Sequence, residues 1–198
     1  MGQISEFYKG KNILVTGATG FCGKVLVEKL LRSCNVGKIF ILVRHKKKAS
    51  PQQRFNDYVK HRIFDGLRST DPLFSQRIHL ISGDITIDDL AMSETDMNIL
   101  IKELHIIFHC AANVRFDDPI REAININVVG TWRMLQLAEK CEHLEVFSYM
   151  STAFSQACYT ELKEEYYPTK IDVFEIIKLT KELEPEYLEL IEQRLQKN

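Results

Sequence analysis

Gly17, Gly20 and Gly23 stand three residues apart in Asn12-Ile-Leu-Val-Thr-Gly-Ala-Thr-Gly-Phe-Cys-Gly23. An apolar run enters them and a helical pattern leaves them. Gly17 can turn sharply because it carries no Cβ. Gly20 lets a diphosphate approach the backbone, and Gly23 lets the next helix pack close to the strand. The start of that helix offers free N–H groups and the positive end of a dipole to an anion. The spacing is G-x-x-G-x-x-G, not G-x-G-x-x-G. Strand, tight turn and helix is nonetheless the order a dinucleotide fingerprint requires. Thr16, Gly17, Thr19, Gly20, Phe21 and Gly23 are therefore the expected cofactor-binding residues of this segment.

Four further clusters could do chemistry, each at the end of an apolar run. Leu42-Val-Arg44 ends the second run. A carboxylate there accepts from the adenosine ribose 2′-OH of NAD. Here Arg44 stands in its place with no carboxylate nearby, and a guanidinium grips a 2′-phosphate instead. NADPH is the expected cofactor. Lys46, Lys47 and Lys48 read as a solvated basic loop. Gly83-Asp-Ile-Thr86 ends the third run. Asp84, with Ile85 beside it, could accept from an adenine amino group, or could simply be a turn residue after a glycine.

His109-Cys-Ala-Ala-Asn113 ends the fourth run. The small side chains of Ala111 and Ala112, with Asn113, allow a ribose and a nicotinamide to lie against the backbone. Tight helix packing explains the alanines equally well. His109 reads as a packed, hydrogen-bonded histidine, and Cys110 has no neighbouring base to make it a nucleophile. Met150-Ser-Thr-Ala153 ends the fifth run, where ligands of open α/β sheets bind. A hydroxyl placed there, on Ser151 or Thr152, could donate to a carbonyl oxygen. Either could instead bond its own backbone.

The elements that must position these clusters alternate along the chain. Strands are predicted at Asn12–Thr16, Lys38–Val43, Ile78–Ser82, Ile106–His109 and Glu145–Met150. Helices are predicted at Phe21–Ser33, Pro51–Phe64, from the Ser93 cap to Leu104, and at Ile120–Cys141. Phe21, Val25, Leu26, Leu30 and Leu31 form the inward face of the first helix. Val128, Trp132, Leu135 and Leu137 are carried on the last. Two charged helices follow, Asp172–Lys181 and Glu184–Lys197, and Lys46–Gln53 is the most flexible loop expected. Such alternation argues for an α/β fold, a doubly wound parallel sheet of the Rossmann-like kind. One domain is expected over residues 1–198, with a core at 10–158 and a helical insertion at 170–198.

The chain has 198 residues, a net charge of −1 and 45% hydrophobic residues. That balance supports a sizeable core and gives no sign of a nucleic-acid partner. Cys22, Cys34, Cys110, Cys141 and Cys158 show no paired spacing. They read as reduced, mostly packed thiols of a cytosol-facing protein. No metal site is expected, and no apolar run reaches the length of a membrane span.

Taken together the segments resemble the extended short-chain dehydrogenase/reductase superfamily. Within it they resemble the N-terminal part of the alcohol-forming fatty acyl-CoA reductases. The resemblance rests on Tyr8–Arg32, Leu42-Val-Arg44, Ile107-Phe-His-Cys-Ala-Ala-Asn-Val-Arg-Phe116, Asn127-Val-Val-Gly-Thr131 and Met150-Ser-Thr-Ala153. It implies NADPH-dependent reduction of long-chain acyl-CoA to an aldehyde and then a fatty alcohol. It also implies membrane association of the full-length family member, at the peroxisome or the endoplasmic reticulum.

The superfamily uses a Ser or Thr, a Tyr as acid and a Lys that holds the nicotinamide ribose; Thr152 matches the first position. The other two require Tyr-x-x-x-Lys on a helix. Tyr166-Tyr-Pro-Thr-Lys170 has that spacing, but Pro168 would sit inside the required turn. The chain therefore reads as a fragment or short isoform, its sheet truncated after about five strands and its C-terminal segment helical. It carries the cofactor half, and acyl-CoA would bind through regions outside it. The alternatives are a non-catalytic nucleotide-binding module, or another extended reductase or epimerase acting on a sugar nucleotide.

Overall fold

A computed structural model of the chain describes residues 2–46, 49–115, 117–169 and 171–195. Lys47, Lys48, Phe116, Lys170 and Lys197, which belong to segments read above, lie outside them. A short helix α1 (Gln3–Phe7) precedes a five-stranded sheet. The strands are β1 (Ile13–Thr16), β2 (Ile39–Val43), β3 (Ile78–Ser82), β4 (Ile106–His109) and β5 (Val146–Tyr149). Their order is β3-β2-β1-β4-β5, and each neighbouring pair runs parallel. Every residue of β1 and β2 is buried, which is why those segments read as unbroken apolar runs.

Alternation along the strands sends residues to two cores. Ile13, Val15, Ile39 and Ile41 share one core with Val27, Leu30 and Leu31 of α2 (Phe21–Ser33). Leu14, Phe40, Leu42 and Ile107 share the other with Leu100, Met134 and Leu137. The chain fills the β2 side of β1 first and then crosses to the β4 side. The strand order therefore reverses between β1 and β4, and an open α/β sheet holds its ligand outside such a reversal.

Several expectations are corrected. Phe21 is 83% exposed and Val25 42% exposed, so neither faces inward. The contact of Gly23 with the Gly17 turn sets the rotation of α2. Its buried face is therefore Gly23, Val27, Leu30 and Leu31, one helical stripe. The expected helix Pro51–Phe64 is broken into α3 (Pro51–Val59), a 3-10 turn at Arg62–Phe64 and α4 (Asp65–Thr70). His61 is extended, and its ring accepts from the Ile63 N–H. The bend brings Tyr58, Phe64 and Phe74 into one aromatic cluster, Tyr58 edge-on to Phe64 at 5.1 Å and Phe64 stacked on Phe74 at 5.4 Å. The expected loop Lys46–Gln53 ends early, because Ser50 and Gln53 form a capping box that starts α3.

Ser93 accepts from the Asp96 N–H at the start of α5 (Glu94–Glu103), as its spacing suggested. The long helix is in three parts: α6 (Ile120–Ile124), a π turn at Asn125–Val129 and α7 (Gly130–Lys140). Trp132 packs edge-to-face on Phe174 of α8 (Val173–Glu182), which α9 (Pro185–Leu195) follows. Asp89, Leu90 and Ala91 have φ of 50, 57 and 46°, a left-handed turn that no propensity would predict. Burial of Leu90, and the bond from the Asp84 N–H to its carbonyl, hold that turn. All five cysteines are free, but Cys22 and Cys158 are exposed rather than packed.

The Tyr58 hydroxyl is buried beside this aromatic cluster and has no hydrogen-bond partner among the described residues. An unsatisfied buried hydroxyl costs about 1–3 kcal/mol. Tyr58→Phe is therefore expected to stabilise the fold by about 1 kcal/mol and to raise the melting temperature. A lower melting temperature in that variant would mean that the hydroxyl is bonded.

Candidate functional site

A cleft of about 260 Å³ opens at the carboxyl ends of the strands, beside the β1/β4 reversal. Thr16, Gly17, Thr19 and Gly20 line it from the first turn, and Arg44 and Lys46 from the end of β2. Gly83, Asp84, Ile85 and Thr86 line it beyond β3, and Cys110, Ala111 and Ala112 beyond β4. The sequence thus placed most of the lining in four separate segments, and the fold brings them to one opening.

The glycines are held by sterics. Gly17 has φ +67°, and a Cβ there would lie 2.7 Å from the backbone of Cys110 and Ala111. A Cβ on Gly23 would lie 2.4 Å from the Gly17 carbonyl oxygen. Gly20 donates its N–H to that same oxygen at 2.9 Å and precedes α2 without any side-chain cap. Phe21 and Gly23 do not line the cleft; Gly23 instead sets how closely α2 approaches it.

At the β2 side the structure adds a residue the sequence reading missed. Arg54, in α3, donates to the Arg44 carbonyl at 2.5 Å and to Thr19 Oγ1 at 3.1 Å. It latches the end of β2 to the glycine turn. Burial, and then the Arg44 charge, lower its pKa. Neither arginine forms an ion pair among the described residues. Two guanidiniums beside one cleft suit a doubly charged anion. The sequence carried no signal for Arg54, because it depends on the capped start and the direction of α3.

Asp84 Oδ1 accepts from the Thr86 N–H at 2.9 Å and its hydroxyl at 2.8 Å. It is therefore the turn residue of the sequence reading, and it also lines the cleft. Arg133 on α7 secures this segment through Asp88 at 2.7 Å and the Ile85 carbonyl at 3.3 Å. Asn113 does not line the cleft. Its N–H donates to Asn127 Oδ1 at 2.7 Å, and its side chain bonds Asp118 and the Arg115 N–H.

Ser151 and Thr152 are exposed beyond β5 and also lie outside the cleft lining. Thr152 Oγ1 accepts from the Phe154 N–H at 3.3 Å. Tyr166 is 85% exposed in a segment that is not helical. A second Tyr-x-x-x-Lys, Tyr159-Thr-Glu-Leu-Lys163, escaped the sequence reading; it is not helical either, and Tyr159 packs on Tyr167 at 4.7 Å.

His109 is fully buried at the end of β4. Its Nδ1 lies 2.7 Å from Thr16 Oγ1 and its Nε2 lies 3.1 Å from Thr131 Oγ1. Burial pushes its pKa down to about 4. This is the packed, bonded histidine that the sequence suggested.

Residues 15–197 match a family model described as "Male sterility protein". The chain belongs to this family. It is 44% identical over 178 residues to fatty acyl-CoA reductase 1 of Rattus norvegicus, covering 89% of this chain and 35% of that protein. It is 42% identical to fatty acyl-CoA reductase 2 of Bos taurus over the same shares. The chain thus spans about 35% of the length of these relatives. Among solved structures, the terminal R domain of the myxalamid PKS-NRPS pathway aligns with a TM-score of 0.61 at 32% identity, over 73% of this chain and 35% of that one. A reductase (R) domain of a nonribosomal peptide synthetase from Mycobacterium tuberculosis aligns with a TM-score of 0.61 at 29% identity, over 76% and 35%. The sheet is therefore a Rossmann-like, dinucleotide-binding one.

The lowered pKa of His109 gives stability a pH dependence. The unfolded chain takes up this proton near pH 6.5 and the folded chain only near pH 4. Between those values the unfolded state holds more protons, so stability falls as pH falls. The loss through this window is expected to be about 3 kcal/mol. Denaturant unfolding at about pH 7.5 and about pH 4.5 should show it as the part of the decline that His109→Gln lacks. Equal declines in both proteins would refute it.

Proposed function

We propose that the chain is the cofactor-holding part of an NADPH-dependent reductase that takes long-chain acyl-CoA through the aldehyde to the fatty alcohol. The observation that carries the cofactor is the pair Arg44 and Arg54, both lining the cleft at the end of β2 with no carboxylate paired to either among the described residues. The substrate class comes from relatives named fatty acyl-CoA reductase. NADPH, when bound, supplies hydride.

Arg44 and Arg54 would hold the 2′-phosphate, and Asp84 and Ile85 would meet the adenine. The turn Thr16–Gly20 leaves its backbone clear for the diphosphate, and Ala111 and Ala112 leave room along β4 for the other half of the cofactor. Thr152 accepts a backbone N–H at its oxygen, which leaves its O–H to donate to a substrate carbonyl. Ser151 is the second candidate for that bond. Holding the carbonyl this way orients it but transfers no proton.

The described part of the chain places no Tyr-x-x-x-Lys on a helix. We therefore assign cofactor binding to this chain and low turnover to it when alone. We place the site facing the cytosol, with membrane association belonging to the full-length family member at the peroxisome or endoplasmic reticulum. No helix among the described residues is long and apolar enough to cross a membrane.

Calorimetry tests the reading. NADPH is expected to bind at least about tenfold more tightly than NADH. Loss of one charge-assisted contact costs about 1.5–3 kcal/mol, so Arg44→Ala and Arg54→Ala should each erase most of that preference; Arg44→Ala should leave NADH binding unchanged, whereas Arg54→Ala, which also releases Thr19, should weaken NADH too. An unchanged ratio in both variants would sink the assignment. In an assay of NADPH oxidation with long-chain acyl-CoA, this chain should turn over about a hundredfold or more below a full-length relative, because the described residues place no Tyr-x-x-x-Lys on a helix to act as acid. Comparable turnover would return Tyr159 or Tyr166 to the catalytic role.

A further inference from the structure

Two ends of one buried hydrogen-bond chain fix its direction. At one end the Ala111 N–H donates to Thr16 Oγ1 at 3.2 Å, and an N–H can only donate. At the other end Thr131 Oγ1 donates to the Asn127 carbonyl at 2.7 Å, and a carbonyl can only accept. Thr131 has then spent its proton and offers His109 only lone pairs. His109 Nε2 must therefore carry a hydrogen, 3.1 Å from Thr131 Oγ1. For a neutral ring Nδ1 is then an acceptor, and the Thr16 hydroxyl donates to it across 2.7 Å. Each of the three middle groups takes one hydrogen bond and gives one. A proton on Nδ1 would strand the Thr16 hydroxyl proton in a fully buried place.

The chain of bonds ends on the stretch of backbone that faces the cleft. Ala111 is held through Thr16, and Asn113 is held by Asn127, whose Oδ1 accepts its N–H at 2.7 Å and whose Nδ2 donates to its carbonyl at 3.0 Å. Asn127 sits in the π turn, the one break in the helix that supplies both it and Thr131. Cys110 to Ala112 thus form a ledge pinned on both sides. Its backbone lies so close to Gly17 that no Cβ fits between them. A ledge that shifted would therefore move the glycine turn or lift away from it.

We propose that His109 is a positioning residue, held as the Nε2–H tautomer, which sets the Cys110–Ala112 ledge against the Gly17 turn and so fixes where the nicotinamide half of the dinucleotide lies. The proposal rests on the dinucleotide reading of the cleft. The 2′-phosphate end lies at Arg44 and Arg54, across the cleft from the ledge, so the two halves of the ligand can be tested separately.

The first measurement needs no cofactor. Long-range ¹⁵N–¹H spectra of the ¹⁵N-histidine chain, with His109→Gln to assign the ring, should show a pyrrole-type Nε2 and a pyridine-type Nδ1 at neutral pH. A hydrogen on Nδ1 would overturn the proposal. The second compares NADPH with adenosine 2′,5′-bisphosphate, which lacks the nicotinamide half, by calorimetry. His109→Leu should weaken NADPH about tenfold or more and leave the bisphosphate within about twofold. His109→Gln keeps an acceptor and a donor at similar separation and should recover most of the loss. Thr131→Val, which removes the acceptor for Nε2–H together with the bond to the Asn127 carbonyl and leaves the ring in place, should move NADPH in the same direction and serves if His109→Leu does not fold. Equal losses for both ligands, or a Gln variant no better than Leu, would overturn the positioning role. A wild-type chain that binds neither ligand would overturn the dinucleotide reading instead, with the tautomer result standing on its own.

Discussion

The backbone at Gly17 lies against the peptide joining Cys110 to Ala111 with no room for a methyl group, and Gly23 lies against Gly17 from the other side. The glycine turn and the end of β4, distant in sequence, meet there without side chains between them. The contact levels the ends of β1 and β4, whose last paired residues are Thr16 and His109. It also draws the start of α2 over the sheet and sets which stripe of that helix is buried. Close packing of this kind tolerates little displacement, so the floor of the cleft is fixed by backbone geometry.

How much of this could be read beforehand depended on whether the cause was local. The glycine turn and the buried strands were legible, because a sharp turn and a strand covered on both faces leave their mark in consecutive residues. The rotation of α2 was not. Phe21 and Val25 are apolar and lie on a plausible helical face, yet the Gly23 contact turns them to solvent. The break after Val59 was hidden because nothing between Pro51 and Phe64 forbids a helix; the aromatic stack with Phe74 decides it from a distance. The π turn and the left-handed Asp89–Ala91 turn are likewise imposed by tertiary bonds. Arg54 could not be found because its role depends on where that broken helix points.

Two kinds of electrostatics meet in the cleft. At the β2 side the structure gathers like charges, Arg44 and Arg54, and Arg54 spends two of its donors on the Arg44 carbonyl and Thr19. That arrangement brings like charges together, and the two bonds orient one guanidinium in advance. At the β4 side, by contrast, the Thr16–His109–Thr131 series is neutral and self-satisfied. A charge there would lack compensation, which is the same fact that depresses the His109 pKa. The cleft is thus charged at one end and neutral at the other.

That division bears on where specificity for a carbonyl substrate would have to arise. β1 and β2 are covered on both faces, whereas Val146 and Tyr149 of β5, and Met150 beyond it, are partly open to solvent. Ser151 and Thr152 stand at this open side. A hydroxyl in water competes with solvent for any carbonyl oxygen, so its bond contributes little orientation unless water is excluded. The residues at the Gly17 contact need no such cover, because sterics hold them. Cofactor binding and carbonyl activation therefore place different demands on the chain. For the first the described residues offer packed backbone and two cleft-lining arginines, while for the second they offer a hydroxyl without the dry surroundings that would make it selective.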